Sequence, residues 1–171
     1  MLTITESGAR ASRLILVASA LFAPAAASAE QINTTLTVEA DVVANCTVSA
    51  GSIDFPDVNP LSGSNVNGSG TFSITCTNGT GWTAAAGIGS GTGASYTARK
   101  MTFGSNTLNY NLYTSGSYGT VWGDGSASTA MLSGTGTGTA QSTTVYGRVP
   151  SGQTTAPPGA YADSVSITIT Y

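Results

Sequence analysis

The feature that most constrains this chain is an eleven-residue run with a repeat of two. Residues 32 to 42 read Ile-Asn-Thr-Thr-Leu-Thr-Val-Glu-Ala-Asp-Val. Ile32, Thr34, Leu36, Val38, Ala40 and Val42 share one face, and Asn33, Thr35, Thr37, Glu39 and Asp41 share the other. Successive side chains point to opposite faces only in a strand, so the run predicts a long, half-buried β-strand. Shorter alternating runs follow at Phe72-Ile74-Cys76, at 107–114 with Leu108, Tyr110 and Leu112 inward, at 143–149 with Val145 and Val149, and at 164–171 with Val165, Ile167, Ile169 and Tyr171. No segment carries a 3.6-residue apolar repeat. Charged residues make up 8 % of the chain, against the usual quarter, which leaves too few Glu, Lys and Arg to cover helix faces. The chain is therefore read as all-β.

Composition also excludes whole classes of function. The sequence contains no histidine, so it lacks the commonest general base and metal ligand, and Ser-His-Asp chemistry is impossible. Five Lys and Arg residues cannot neutralise a nucleic-acid backbone. No cofactor, metal or small-molecule substrate is expected, and the chain does not read as an enzyme.

The first 29 residues read as a secretory leader. Arg10 and Arg13 precede an apolar run from Leu14 to Phe22, and Ala27-Ser28-Ala29 forms the small-x-small pattern that places cleavage after Ala29. The apolar run is too short to span about 30 Å of hydrocarbon. Residues 30 to 171 then carry three basic residues, Arg99, Lys100 and Arg148, against seven acidic ones, a net −4. Cys46 and Cys76 both remain after cleavage, and two cysteines in an exported chain most simply form one disulfide. A redox pair would favour Cys-x-x-Cys, and a metal site would need four ligands.

Two glycine-rich tracts, Gly87–Gly93 and Ser133–Thr139, lack the strand-to-helix setting and the Lys-Ser/Thr ending of a phosphate cradle, so they read as flexible loops. Asp54 and Asp57 resemble an acid/base pair in spacing alone, and Asp124 in Trp-Gly-Asp-Gly-Ser resembles a calcium loop; clusters of Asp, Gly and Pro more often make turns. Lys100 has no motif that would make it a base for a serine. Trp82, Trp122 and the tyrosines serve either as core or as a carbohydrate platform, the latter best placed at Trp122 in a predicted loop. Arg148, alternating with Val145 and Val149, reads as a solvated or ion-paired face residue. Several short strands, the Asn78-Gly79 turn signal and one disulfide point to a two-sheet sandwich, immunoglobulin-like in general plan.

Several segments in order complete the reading: Cys46-Thr47-Val48, Cys76-Thr77-Asn78-Gly79, Arg99-Lys100-Met101, Tyr110-Asn111-Leu112-Tyr113, Trp122-Gly123-Asp124-Gly125, Val145-Tyr146-Gly147-Arg148-Val149-Pro150 and Pro158-Gly159-Ala160-Tyr161-Ala162-Asp163. Together, across residues 33 to 171, they resemble the spore coat protein U family of secreted bacterial proteins, which includes Csu-type pilins of archaic chaperone-usher pili. Phe55-Pro56 departs from the family's usual Phe-Gly.

The resemblance implies an incomplete immunoglobulin-like β-sandwich lacking its last strand, completed by donor-strand complementation from a neighbouring subunit. On that reading residues 30–44 are the donor segment, with Ile32, Thr34, Leu36, Val38, Ala40 and Val42 facing the neighbour. Residues 45–171 are the domain, and Val165, Ile167, Ile169 and Tyr171 border the acceptor groove. The implied partners are neighbouring pilin subunits, a periplasmic pilus chaperone and an outer-membrane usher. The implied destination is a cell-surface adhesive fimbrium, reached through the periplasm, with roles in attachment and biofilm formation. The competing expectations are a self-complete secreted sandwich with a lectin-like surface, or a spore or cell-surface coat protein. An exported hydrolase using carboxylates alone is the weakest alternative.

Overall fold

The computed structural model describes residues 27–171; the expected leader falls almost wholly outside the described residues. The chain divides into two compact units, one ending at Glu39 and one running from Ala40 to Tyr171.

In the first unit, residues 27–39 belong to no strand, and Ile32, Leu36 and Val38 are exposed. The eleven-residue strand expected over 32–42 is thus not formed in the single chain. Alternation specifies which face a strand would bury, but a strand also needs a neighbour for its backbone groups.

The second unit holds eight strands: β1 (Cys46–Ala50), β2 (Val66–Cys76), β3 (Gly81–Ala86), β4 (Arg99–Phe103), β5 (Asn106–Tyr113), β6 (Leu132–Thr135), β7 (Gln141–Val149) and β8 (Ile167–Thr170). They form a five-stranded sheet in the order β1-β2-β7-β5-β4 and a three-stranded sheet in the order β6-β3-β8. Every pairing between them is antiparallel.

Local chemistry sets the connections. Asn78-Gly79 turns β2 into β3 with Gly79 at φ 81°, and Gly104 at φ 55° opens the two-residue hairpin between β4 and β5, whose last pair is Phe103 with Asn106. Both positions need a left-handed backbone that glycine adopts without a Cβ clash. The inward residues of the alternating runs fill the space between the sheets: Phe72, Ile74 and Cys76 from β2, Leu108, Tyr110 and Leu112 from β5, Val145 and Val149 from β7. Ala84 and Ala86 on β3 are small enough to admit Trp122, which stacks on Phe72 at 5.6 Å and donates its indole N–H to the Ala84 carbonyl at 2.9 Å.

Of the two readings of Trp122, core or carbohydrate platform, the structure gives core: it is 1 % exposed, and the aromatic stack and the indole hydrogen bond hold it there despite its place in a loop. The tract around Ser133–Thr139 is partly strand, because Gly134 in β6 lies under Trp82, where a Cβ would approach the indole to 2.5 Å. The tract beginning at Gly87 is anchored, as described below. At the other end Tyr171 is 56 % exposed and outside β8, since the ladder to β3 ends at the Thr83–Thr170 pair.

Arg99, to which the sequence assigned no structural role, is fully buried. Its Nε donates to the Gly87 carbonyl at 2.8 Å, Nη1 to Asn111 Oδ1 at 2.7 Å, and Nη2 to the Trp122 carbonyl at 2.8 Å and the Ala86 carbonyl at 3.3 Å. One guanidinium therefore ties the end of β3, the start of β4, β5 and the Trp122 loop together. Burial lowers its pKa from the ordinary arginine value, a shift opposed by Tyr110, Tyr96 and Asp163. Arg148 is on the outer face, where it stacks over the Tyr118 ring at 3.7 Å and donates to Asn67 Oδ1 at 2.9 Å; among the described residues it forms no ion pair.

Candidate functional site

A sandwich of two closed sheets would cover both faces of its core, and here one side is left open. Cys46, Val48 and Ala50 of β1 pair with Cys76, Ile74 and Phe72 of β2, so they share the core-facing side. Cys46 and Cys76 are joined by a disulfide. Val48 and Ala50 nevertheless lie exposed. Across from them, Val165, Ile167 and Ile169 are only half-buried, although they pack on the core cluster.

Ala50, Val165 and Ile167 line a cleft of about 500 Å³, which adjoins a second of about 550 Å³; the two share Ile53, Asp54, Phe55, Met101 and Tyr161 in their linings. Together they form one groove along the sandwich. Its first wall is the chain from Ala50 to Pro60, and its second is the chain from Ala156 to Ile167. Its floor is Phe72, Trp122, Val145, Leu112, Tyr110 and Leu108.

The first wall crosses onto the core face because the sheet beneath it has been cleared of side chains. Ile53 and Phe55 settle over Gly68, Gly70 and Gly147; a Cβ on Gly147 would stand 2.6 Å from Phe55, and one on Gly70 would stand 2.7 Å from Ile53. Asp54 bridges to Ser69 and accepts from Ser52 Oγ at 2.9 Å, so its role is local structure.

The second wall presents an unused backbone edge. Ala162 exchanges both backbone bonds with Thr102, at 2.8 and 3.1 Å, and the Ser166 carbonyl accepts from Gly87 at 2.9 Å. In the antiparallel ladder to β3 alternate residues of β8 turn their backbone groups toward β3, so with Ser166 bonded to Gly87 those of Ile167 and Ile169 point to the other, unpaired edge. At the far end the walls carry Pro56 and Pro60 on one side and Pro157 and Pro158 on the other. Proline has no N–H, so a ladder formed in the groove stops there.

Asp163 is the charged group of the second wall. Its Oδ1 accepts from the Ser90 amide and hydroxyl, each at 2.7 Å, and from the Ser164 amide at 2.8 Å, while Oδ2 accepts from the Tyr110 hydroxyl at 2.7 Å. Partial burial pushes its pKa up, but these hydrogen bonds outweigh it and hold the carboxyl below the usual value. Burial and the same Asp163 contact push the Tyr110 phenol well above its ordinary value. With Arg99, Asp163 anchors the tract from Gly87, which the sequence had suggested was a free loop. Asp124 accepts from the Ser126 hydroxyl and amide, and those bonds lower its pKa, as a turn residue and not as a calcium ligand. Among the described residues no group of three His, Cys, Asp or Glu side chains is placed to hold a metal ion.

The predicted donor residues are placed as follows. Ile32, Thr34, Leu36, Val38, Ala40 and Val42 are all exposed and in no strand. The chain joins the sheet at Asn45, whose amide donates to Thr77 Oγ1 at 3.1 Å and whose carbonyl accepts from the Thr77 amide at 2.9 Å. Sequence reasoning missed the Ile53–Phe55 wall and Asp163. The signal for the first was the spacing of Gly68, Gly70 and Gly147 within otherwise alternating strands; for the second it was one acid in the series Tyr161, Asp163, Val165, Ile167, Ile169.

The model of the Spore Coat Protein U domain matches residues 32–168. The chain belongs to the Spore Coat Protein U domain family. No curated protein matches this Spore Coat Protein U domain. Among solved structures it is similar to a chain in the crystal structure of the CsuC–CsuE chaperone–tip adhesion subunit pre-assembly complex from archaic chaperone-usher Csu pili of Acinetobacter baumannii, with a TM-score of 0.57 and 18 % identity. The match covers 76 % of the Spore Coat Protein U chain and 40 % of the other. An incomplete immunoglobulin-like sandwich accords with both likenesses and with the open groove.

Proposed function

We propose that this chain is a subunit of a chaperone-usher pilus, and that residues 31–43 of one copy complete the sandwich of the next by filling its groove. The observation that carries this reading is the open groove itself: an apolar floor flanked by an unused strand edge, in a molecule that also exposes an alternating apolar segment. Burying Ile32, Leu36, Val38 and Val42 would contribute about 1.5–3 kcal/mol for each side chain, less the cost of ordering the segment. Main-chain bonds to the second wall would add affinity and fix direction. Until filled, such a groove invites aggregation, which is the physical reason for a periplasmic chaperone to cover it and an usher to release it into the fibre. Attachment to surfaces and biofilm formation would follow as properties of that fibre.

The test compares the two faces of the segment. Leu36→Asp or Val38→Asp would place an unpaired carboxylate in an apolar groove and should abolish heat-resistant ladders of the purified chain on gels, whereas Thr37→Asp should leave them. Equal effects from both faces would contradict the proposal.

A further inference from the structure

We infer that one polar pair sets the register of donor entry: Thr34 of the entering copy against Asp163 of the receiving copy. This rests on the donor reading above. The second wall of the groove offers an inward series, Tyr161, Asp163, Val165, Ile167 and Ile169, in which each residue is half-buried and each intervening one is exposed. Asp163 is its one carboxylate, and it lines the cleft together with Leu112, Trp122 and Val145. The inward series of the donor segment has a matching exception, because Thr34 is its one hydroxyl among Ile32, Leu36, Val38, Ala40 and Val42.

The hydrogen-bond inventory shows what Asp163 can still accept. Its Oδ1 takes three donors, from Ser90 N, Ser90 Oγ and Ser164 N. Among the described residues its Oδ2 takes the Tyr110 hydroxyl at 2.7 Å and packs against Gly89, where a side chain would collide with it, so its acceptor capacity for one further donor is unused on the groove side. A strand that closes the groove excludes solvent from this oxygen. A hydroxyl in the strand supplies a donor; an aliphatic side chain leaves the oxygen short of a partner, at a cost of roughly tenfold or more in affinity. Asp54 on the opposite wall does not compete for this role, since it is exposed and already bonded to Ser52.

Apolar contact alone cannot select this register. A slip of one residue turns the wrong face inward and is excluded by the alternation. A slip of two keeps apolar residues inward and is nearly neutral for a non-directional force. It does, however, bring Ile32 or Leu36 against Asp163 and strands the Thr34 hydroxyl among aliphatic side chains. The polar pair penalises the slip at both ends.

Thr34→Val makes the test discriminating, because the two side chains have nearly the same shape. If the groove reads only apolar surface, this change strengthens ladders; if Thr34 meets Asp163, ladders of Thr34→Val dissociate about tenfold faster than those of the unsubstituted chain, and Thr34→Ser restores most of the difference. Disulfide trapping reads the register directly. With Val165→Cys in the groove, a donor bearing Ile32→Cys or Leu36→Cys should cross-link to the next copy, according to strand direction, and donors bearing Val38→Cys, Ala40→Cys or Val42→Cys should not. Cross-linking through position 38, 40 or 42, or ladders of Thr34→Val as durable as the parent's, would overturn the pairing and leave the donor reading intact. Absence of any ladder from the unsubstituted chain would overturn the donor reading itself.

Discussion

Val48 and Ile74 are partners across the β1–β2 ladder and share one face of the sheet, yet Ile74 is 0 % exposed and Val48 is 42 % exposed. Neighbours on one face normally share one cover. The cover here ends between them, on the β1 side that leads to Ala50 in the groove wall.

That border predicts opposite responses to the same change. Ile74→Ala should destabilise the domain by about 2–5 kcal/mol in chemical denaturation, as deletion of a packed core side chain does. Val48→Ala should cost less than about 1 kcal/mol in the isolated chain while weakening ladder formation, because its contacts belong to the filled groove.

The disulfide closes a loop with a sequence separation of 30, so its loss should destabilise the fold by roughly 3–4 kcal/mol. Denaturation midpoints of the native chain and of a Cys46→Ala, Cys76→Ala double variant would measure this. Labelling of the denatured, unreduced protein should find no free thiol.

Arg99→Met should lower the thermal midpoint sharply. It leaves the carbonyls of Gly87, Ala86 and Trp122 without the guanidinium donors and Asn111 Oδ1 with the Leu112 amide alone, and each buried group left unsatisfied costs about 1–3 kcal/mol. Arg99→Lys should recover only part, since one ammonium cannot reach four acceptors on different elements.

Asp163 predicts a pH effect of definite sign. Its folded pKa lies below the unfolded one, so the stability it contributes is complete above about pH 4 and is lost as pH falls through the depressed folded value. Thermal melts across that acid range should show the parent losing stability more steeply than Asp163→Asn. Identical slopes would mean that the Ser90, Ser164 and Tyr110 hydrogen bonds do not favour the charged carboxylate.

Moving residues 31–43 behind Tyr171 through a flexible Gly/Ser linker should let one chain fill its own groove. The linked segment competes at an effective concentration near millimolar, so the permuted chain should be monomeric and more heat-stable than the parent. Light scattering and calorimetry would check both.

Much of this arrangement could be read from residue order. Alternation located β2, β5 and β7 with their inward residues, because those strands bury one face and expose the other. It extended β8 too far at both ends, since period two says nothing about where a partner strand stops. It missed β1, β4 and β6: the first two are five residues each, and in β4 a buried arginine stands where an apolar residue would have marked the inward face. Trp122 and Gly134 misled for a related reason, as a loop position and a glycine tract both suggested exposure while long-range packing buried the indoles. The groove was foreseen only through family resemblance. Its walls depend on Ile53 and Phe55 meeting glycines from distant strands, a coincidence visible only in three dimensions.

The Thr77 bonds to Asn45 and the adjoining Cys46–Cys76 bridge also decide how the domain would bear tension. A pull on the chain ahead of Asn45 reaches a covalent link to β2 one residue later. The five-residue edge strand β1 is therefore spared from peeling open bond by bond, and the load passes to an eleven-residue strand paired on both sides. Extracting that strand requires shearing many hydrogen bonds at once.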